Sequence, residues 1–321
     1  MEHRRVEGRQ VTAAGGELIW LLGQPQLSEY LSFVRHNVEG GALINAATLV
    51  DEWRAANDLY YDLEKSEAGA PDRIRCRKLP QALKPLEREA RRHPWFGPAF
   101  GDLPTSFEMV ELDKLVISQN HVERSFTDGL AAMIGTGSDP ADLFRFCIPA
   151  ERAQAPVRVQ RISAERWLFT SGSTDFRAHE PLLFRGEEIV QRDAPGPIAC
   201  MLGIGIGFGS NFMSAIRSGS RLVLQNGYHR AYALRSLGIR HAPCIVEEVT
   251  RKDELKITAS ENVCEDPEFY FASKRPPMFK DFFDPRFAKP LKMLPIETSI
   301  EVELKVTRTT PTEVPLTREC R

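Results

Sequence analysis

No stretch of this chain is apolar for long enough to cross a bilayer as a helix. The opening MEHRRVEGRQ is polar, and no apolar segment with a small-residue cleavage site follows it. Both absences lead us to expect a cytoplasmic protein with no membrane partner. CxxC pairs are missing too. Cys76, Cys147, Cys200, Cys244, Cys264 and Cys320 are scattered, which fits reduced thiols, several of them buried as small apolar residues. Charge of one sign is also lacking: 42 Lys and Arg against 44 Asp and Glu leave a formal net charge of −2. Global attraction to nucleic acid or anionic lipid is thereby excluded, so any anion site must be local. GxxxxGK[ST], HExxH and GxSxG do not occur. GIGIGFG (203–209) misses the G-x-G-x-x-G spacing, and no acidic residue follows at the dinucleotide distance. It is expected to be a flexible lid or a close-packed turn.

What is present is ordinary in bulk. The chain has 321 residues, 42% hydrophobic and 27% charged, enough for one large or two modest domains. Leu49, Trp53, Ala56, Tyr60 and Leu63 recur at steps of four and three and predict a helix within 44–69. Shorter helices are expected near Leu27–Val34 and over 81–92, making residues 1–100 mainly helical. The Pro and Gly of HPWFGPAFGDLP (93–104) mark a boundary. FEMVEL (107–112) predicts a strand, and VRVQRI, RWLFT and PLLFRG predict a β-rich stretch between about 155 and 190. SIEVELKVT (299–307) predicts a late strand. FYFASKRPPMFKDFF (269–283) interleaves aromatic and basic residues, and is expected to pack as an arm rather than to bind nucleic acid.

The most informative stretch is LVLQNGYHRAYALRSLGI (222–239). An apolar strand, an Asn-Gly break and a helix over 228–237 lead to a second strand, CIVEEV (244–249), in a β-α-β order. A helix N-terminus offers unpaired N–H groups and the positive end of a dipole. Gly227 permits a sharp turn and close approach, Arg230 supplies a forked donor, and His229 can donate or shuttle a proton. Arg217 to His241 holds five arginines, two histidines and no acid. An anion cradle is one interpretation. A plain Asn-Gly turn with arginines on a solvated face fits the same residues. His121 and Glu123 share a strand face and are expected at the surface, like His179 beside Glu180.

QNGYHRAYALRSLGIRHAPCIVEEV resembles the signature of the ParB/sulfiredoxin superfamily, whose members carry a strand, a Gly-x-His-Arg type of turn and a helix. VELDKLVISQNHVERSF (110–126) resembles its opening strand and loop, and SENVCEDPEFY (260–270) its Glu-Asn motif. The resemblance implies an α+β fold: a ParB/sulfiredoxin-like mixed sheet over 101–270, with an insertion at about 127–215 and a C-terminal arm with a strand over 271–321. It implies ligand phosphate at Asn226, Gly227 and Tyr228, with Gln119 and Asn262 also in the site. His229, Arg230 and Glu123 would be catalytic, and Glu261 a metal ligand. Nucleotide and Mg²⁺ are the implied cofactors. Glu265 stands where partition-type members carry Arg, and no cysteine sits in the turn, which removes sulfiredoxin chemistry. The expected function is therefore an enzyme of phosphotransfer or phosphohydrolysis acting on a nucleotide or other anionic small molecule. Two alternatives stand beside it: an enzyme for a carboxylated or aromatic substrate without phosphate, and a DNA-associated partition-like or nuclease protein. Nucleic acid is the less expected partner, because only about 50 residues follow the matched region and no helix-turn-helix pattern is among them.

Overall fold

The computed structural model describes residues 15–24, 26–135, 137, 139–149, 154–173, 175–186 and 196–308. The chain begins with β1 (Glu17–Leu21), α1 (Leu27–Asn37), α2 (Ala46–Glu67), β2 (Cys76–Lys78), α3 (Lys84–Arg92) and α4 (Phe96–Phe100). β3 (Thr105–Glu111), β4 (Val116–Ile117), β5 (His121–Glu123), α5 (Arg124–Ile134) and α6 (Pro140–Cys147) follow. Six strands come next: β6 (Val157–Arg161), β7 (Arg166–Ser171), β8 (Phe176–Ala178), β9 (Leu182–Arg185), β10 (Cys200–Gly203) and β11 (Ile206–Phe208). The remaining elements are β12 (Ser214–Ser218), β13 (Arg221–Asn226), α7 (Tyr228–Ser236), β14 (His241–Glu248), α8 (Lys252–Thr258), α9 (Glu261–Glu265), α10 (Pro267–Phe271), β15 (Ala288–Lys292) and β16 (Thr298–Glu303). The fold is α+β with several sheets.

The chain divides into two units, 1–153 with 210–296, and 154–209 with 297–321. In the first, a mixed six-stranded sheet runs β2-β3-β14-β12-β13-β4. The expected strand–helix–strand unit is present, at 221–226, 228–236 and 241–248, but its strands are not neighbours. β12 lies between them, antiparallel to β13 and parallel to β14. Its Ser-Ala-Ile start is wholly buried and shows no alternation, so periodicity could not reveal it. Gly219 (φ +60°) turns β12 into β13. Phe107, Val110, Ala215, Leu224, Leu234 and Ile245 are buried in the core, together with Phe144 of α6. Each such side chain contributes about 1.5–3 kcal/mol of burial.

The N-terminal region is not simply helical. β1, the buried run ELIWL, pairs with β15 on one side and β5 on the other. Through these pairings the N-terminal region, the β5 segment and the arm share one sheet of the first unit. The arm packs as its pattern suggests: Met278, Phe279 and Phe282 are buried. Residues 127–147, expected inside the insertion, form most of α5 and α6 of the first unit. The second unit is β-rich, with a β6-β7-β16 sheet and two two-stranded antiparallel sheets, β9-β10 and β8-β11. Of the glycines in 203–209, Gly203 ends β10, Gly205 lies between the strands, Gly207 is in β11 and Gly209 follows it. β16 is shorter than expected, and Leu304 and Val306 beyond it are exposed.

Candidate functional site

The turn before α7 is built around Gly227, in the left-handed region at φ +98°. A Cβ there would come within 2.9–3.2 Å of Met213. Glycine is thus needed for a close approach, and the neighbour is Met213. Tyr228 is buried. Its hydroxyl donates to the Leu224 carbonyl at 2.7 Å and accepts the backbone N–H groups of Ser118 (2.9 Å) and Gln119 (3.2 Å). Burial pushes this phenol's pKa up. One aromatic side chain therefore fixes the 118–119 loop from 110 residues away in sequence.

Arg230 is buried at 6% exposure. Its guanidinium donates to the Cys147 carbonyl at 2.6 Å and to Asn211 Oδ1 at 2.7 Å. The Met213 N–H also reaches the Cys147 carbonyl, at 2.9 Å. Arg230 thus bridges the end of α6 to the start of the chain's return into the first unit. His229 and Asn226 are half-buried, and the His229 ring meets Phe126 edge-on at 5.3 Å. Glu123 ends β5 and precedes the first turn of α5, without a side-chain cap hydrogen bond; it is half-buried, and burial raises its carboxyl pKa. His229, Arg230 and Glu123, expected to act together, have these different neighbours. His121, expected at the surface, stacks on Trp20 at 5.6 Å, and burial depresses its pKa to about 4. His179 and Glu180 are exposed, as expected.

A cleft of about 450 Å³ opens beside the loop that Tyr228 holds. Its floor is Ile117, Ser118, Gln119 and Asn120; its walls are the β1–α1 connection, one face of α2 with Trp53, Asn57 and Tyr61, and the α9–α10 segment with Asn262, Glu265, Asp266, Phe269 and Tyr270. Local sequence explains each wall. β4 is an apolar pair that ends in the polar run Ser-Gln-Asn, and Asp266 caps α10 by accepting the Phe269 N–H at 3.1 Å. Ser118 Oγ and Ser260 Oγ lie 3.5 Å apart, joining the loop to the start of α9. Gln119 donates to the His121 carbonyl, and Asn120 donates to Glu29 at 3.0 Å. Gln119 and Asn262 are thus brought to one cleft. Glu261 is exposed in the first turn of the five-residue α9. Among the described residues there is no group of three or more His, Cys, Asp or Glu that could hold a metal ion. Glu29, Trp53, Asn57, Ser118, Glu265 and Asp266 were missed. Only the Ser-Gln-Asn run after β4 carried a local signal.

A second, more open groove of about 700 Å³ follows α3 by Arg88, Arg92 and His93. It touches none of the residues singled out from sequence. No helix among the described residues is long and apolar enough to cross a membrane. No family model, curated protein or solved structure matches the chain.

Proposed function

We propose that this chain is a small-molecule enzyme on a ParB/sulfiredoxin-like core, with its ligand held in the cleft over residues 117–120. One observation supports this most. The three stretches that resemble the superfamily meet at that cleft: Tyr228 reaches Ser118 and Gln119, and Ser118 reaches Ser260, across 110 and 142 residues of sequence. In this reading Gln119 and Asn262 touch the ligand. Tyr228 and Gly227 position the loop, and Arg230 holds the framework behind it. A volume of about 450 Å³ suits a ligand with one or two rings.

A thermal-shift panel on the full chain tests the proposal, with ATP, ADP, adenosine, sugar phosphates, and aromatic acids and amines. A ligand at 100 times its Kd stabilises by about 2.7 kcal/mol, which is several degrees. That shift is expected for at least one member and should be lost in Gln119→Ala and Asn262→Ala. A panel without any shift, or a shift indifferent to both substitutions, rejects the cleft. The nucleotide version keeps one observation in its favour: Asn226 and His229 are the half-exposed members of the turn that opens the nine-residue α7. There His229→Ala should weaken ATP while leaving adenosine unchanged.

A further inference from the structure

Many carboxylates in the first unit are paired with a cation. Glu17 pairs with Arg124, Glu67 with Arg275 and Lys280, Asp72 with Arg221, Glu108 with Arg217, and Asp113 with Arg235. Three carboxylates on the cleft wall differ. Glu29 accepts the amide of Asn120, Asp266 accepts a backbone N–H, and Glu265 is exposed beside it. None of the three forms an ion pair among the described residues, and the described lining contains no Lys, Arg or His. The Tyr270 phenol lies in the same wall. Burial first, then the charges of Tyr228, Asp266, Glu29 and Glu265, push its pKa up to about 12. The opening therefore has aromatic surface, amide hydrogen-bonding groups and negative charge without internal compensation.

Resting on the cleft as the ligand site, we propose that its ligand is an organic cation, a protonated amine or amidinium carried on a flat ring. The charge lies between Glu29 and the Glu265–Asp266 pair, and the ring lies against Trp53 and Phe269. A cation entering here offsets like-charge repulsion and gains from neighbouring aromatic faces. A carboxylate or phosphate in the same place meets three like charges and no counter-charge from the wall. The preferred charge is thus opposite to the one the α7 turn suggests.

Isothermal titration of the full chain at pH 7 with matched probes decides it: phenethylamine against 3-phenylpropionate, benzamidine against benzoate, with adenosine as the neutral probe. The amines are expected to bind at least tenfold more tightly than the acids. Glu265→Gln with Asp266→Asn, which keeps an acceptor at the α10 cap, should weaken the amines about tenfold and leave the thermal midpoint unchanged. Acids that bind as well as amines, or amines indifferent to the double substitution, overturn the charge assignment. If Trp53→Ala still abolishes the binding of those probes or of adenosine, the cleft survives as the site. Binding of none of the five overturns the cation proposal and counts against the cleft as well.

Discussion

His121 shows how one residue can carry a pH dependence for the whole fold. Packed against Trp20 and Phe33, it is held neutral, and its pKa falls to about 4 from an ordinary 6.5. The unfolded chain binds this proton more readily than the folded one, so stability rises with pH between about 4 and 6.5 and is lost as pH falls through that window. The contribution is on the order of 3 kcal/mol. Denaturant melts at pH 7 and pH 4.5 should show this loss in the wild type and a smaller one in His121→Phe, which keeps the ring packing. Equal losses in the two proteins would place the acid sensitivity elsewhere. The same burial explains why His121 could not be placed from sequence. Alternation along β5 names its face but not that Trp20 and Phe33 pack against it.

Between elements, one buried tie is ionic. Arg275, beside the buried Met278–Phe279 segment, forks to both oxygens of Asp281 at 2.7 Å and reaches Glu67 at the end of α2. Both members of the Arg275–Asp281 pair are almost fully buried. Burial raises the Asp281 carboxyl despite the guanidinium beside it. Removing Asp281 strips the buried guanidinium of its buried partner and leaves it only the partly exposed Glu67, so Asp281→Ala is expected to cost about 3–5 kcal/mol in urea unfolding. Arg275→Met with Asp281→Leu should recover most of that. A double substitution no better than the single one would show that geometry, rather than the stranded charge, sets the cost.

Legibility also divides at this scale. β13 and α7 were readable because Asn-Gly interrupts an apolar run and helix-forming residues follow. The helix of α2 declared itself through its periodic Leu49, Trp53, Ala56, Tyr60 and Leu63. β12 and β1 were not readable, because strands buried on both faces show no alternation and take their identity from neighbours distant in sequence. Gln119 and Asn262 were named only through the resemblance to a known family. Glu29, Trp53 and Asp266 belong to the cleft only through tertiary packing, and spacing cannot supply that.

At the scale of the molecule, the chain leaves the first unit after residue 153 and returns to it at 210, and within that unit Cys147 and residues 211–213 close a neck. Cys147, at the end of α6, accepts from the Met213 N–H just beyond the return, and Arg230 ties Cys147 to Asn211 across the same gap. The two chain ends are thus fastened to each other by groups that belong wholly to the first unit. A neck closed in this way does not need the residues beyond it to keep its ends together, because the closure entropy of a short replacement loop is small. Replacing 154–209 with a short Gly-Ser linker and ending the chain at 296 should leave a first unit that melts in one cooperative transition. Arg230→Met in that shortened chain should lower its midpoint, because the Cys147 carbonyl and the Asn211 amide lose a buried charged donor. A shortened chain with no cooperative transition would mean that the first unit depends on the second for its fold. Arg230 would then be one of many ties between chain segments rather than the clasp of the neck.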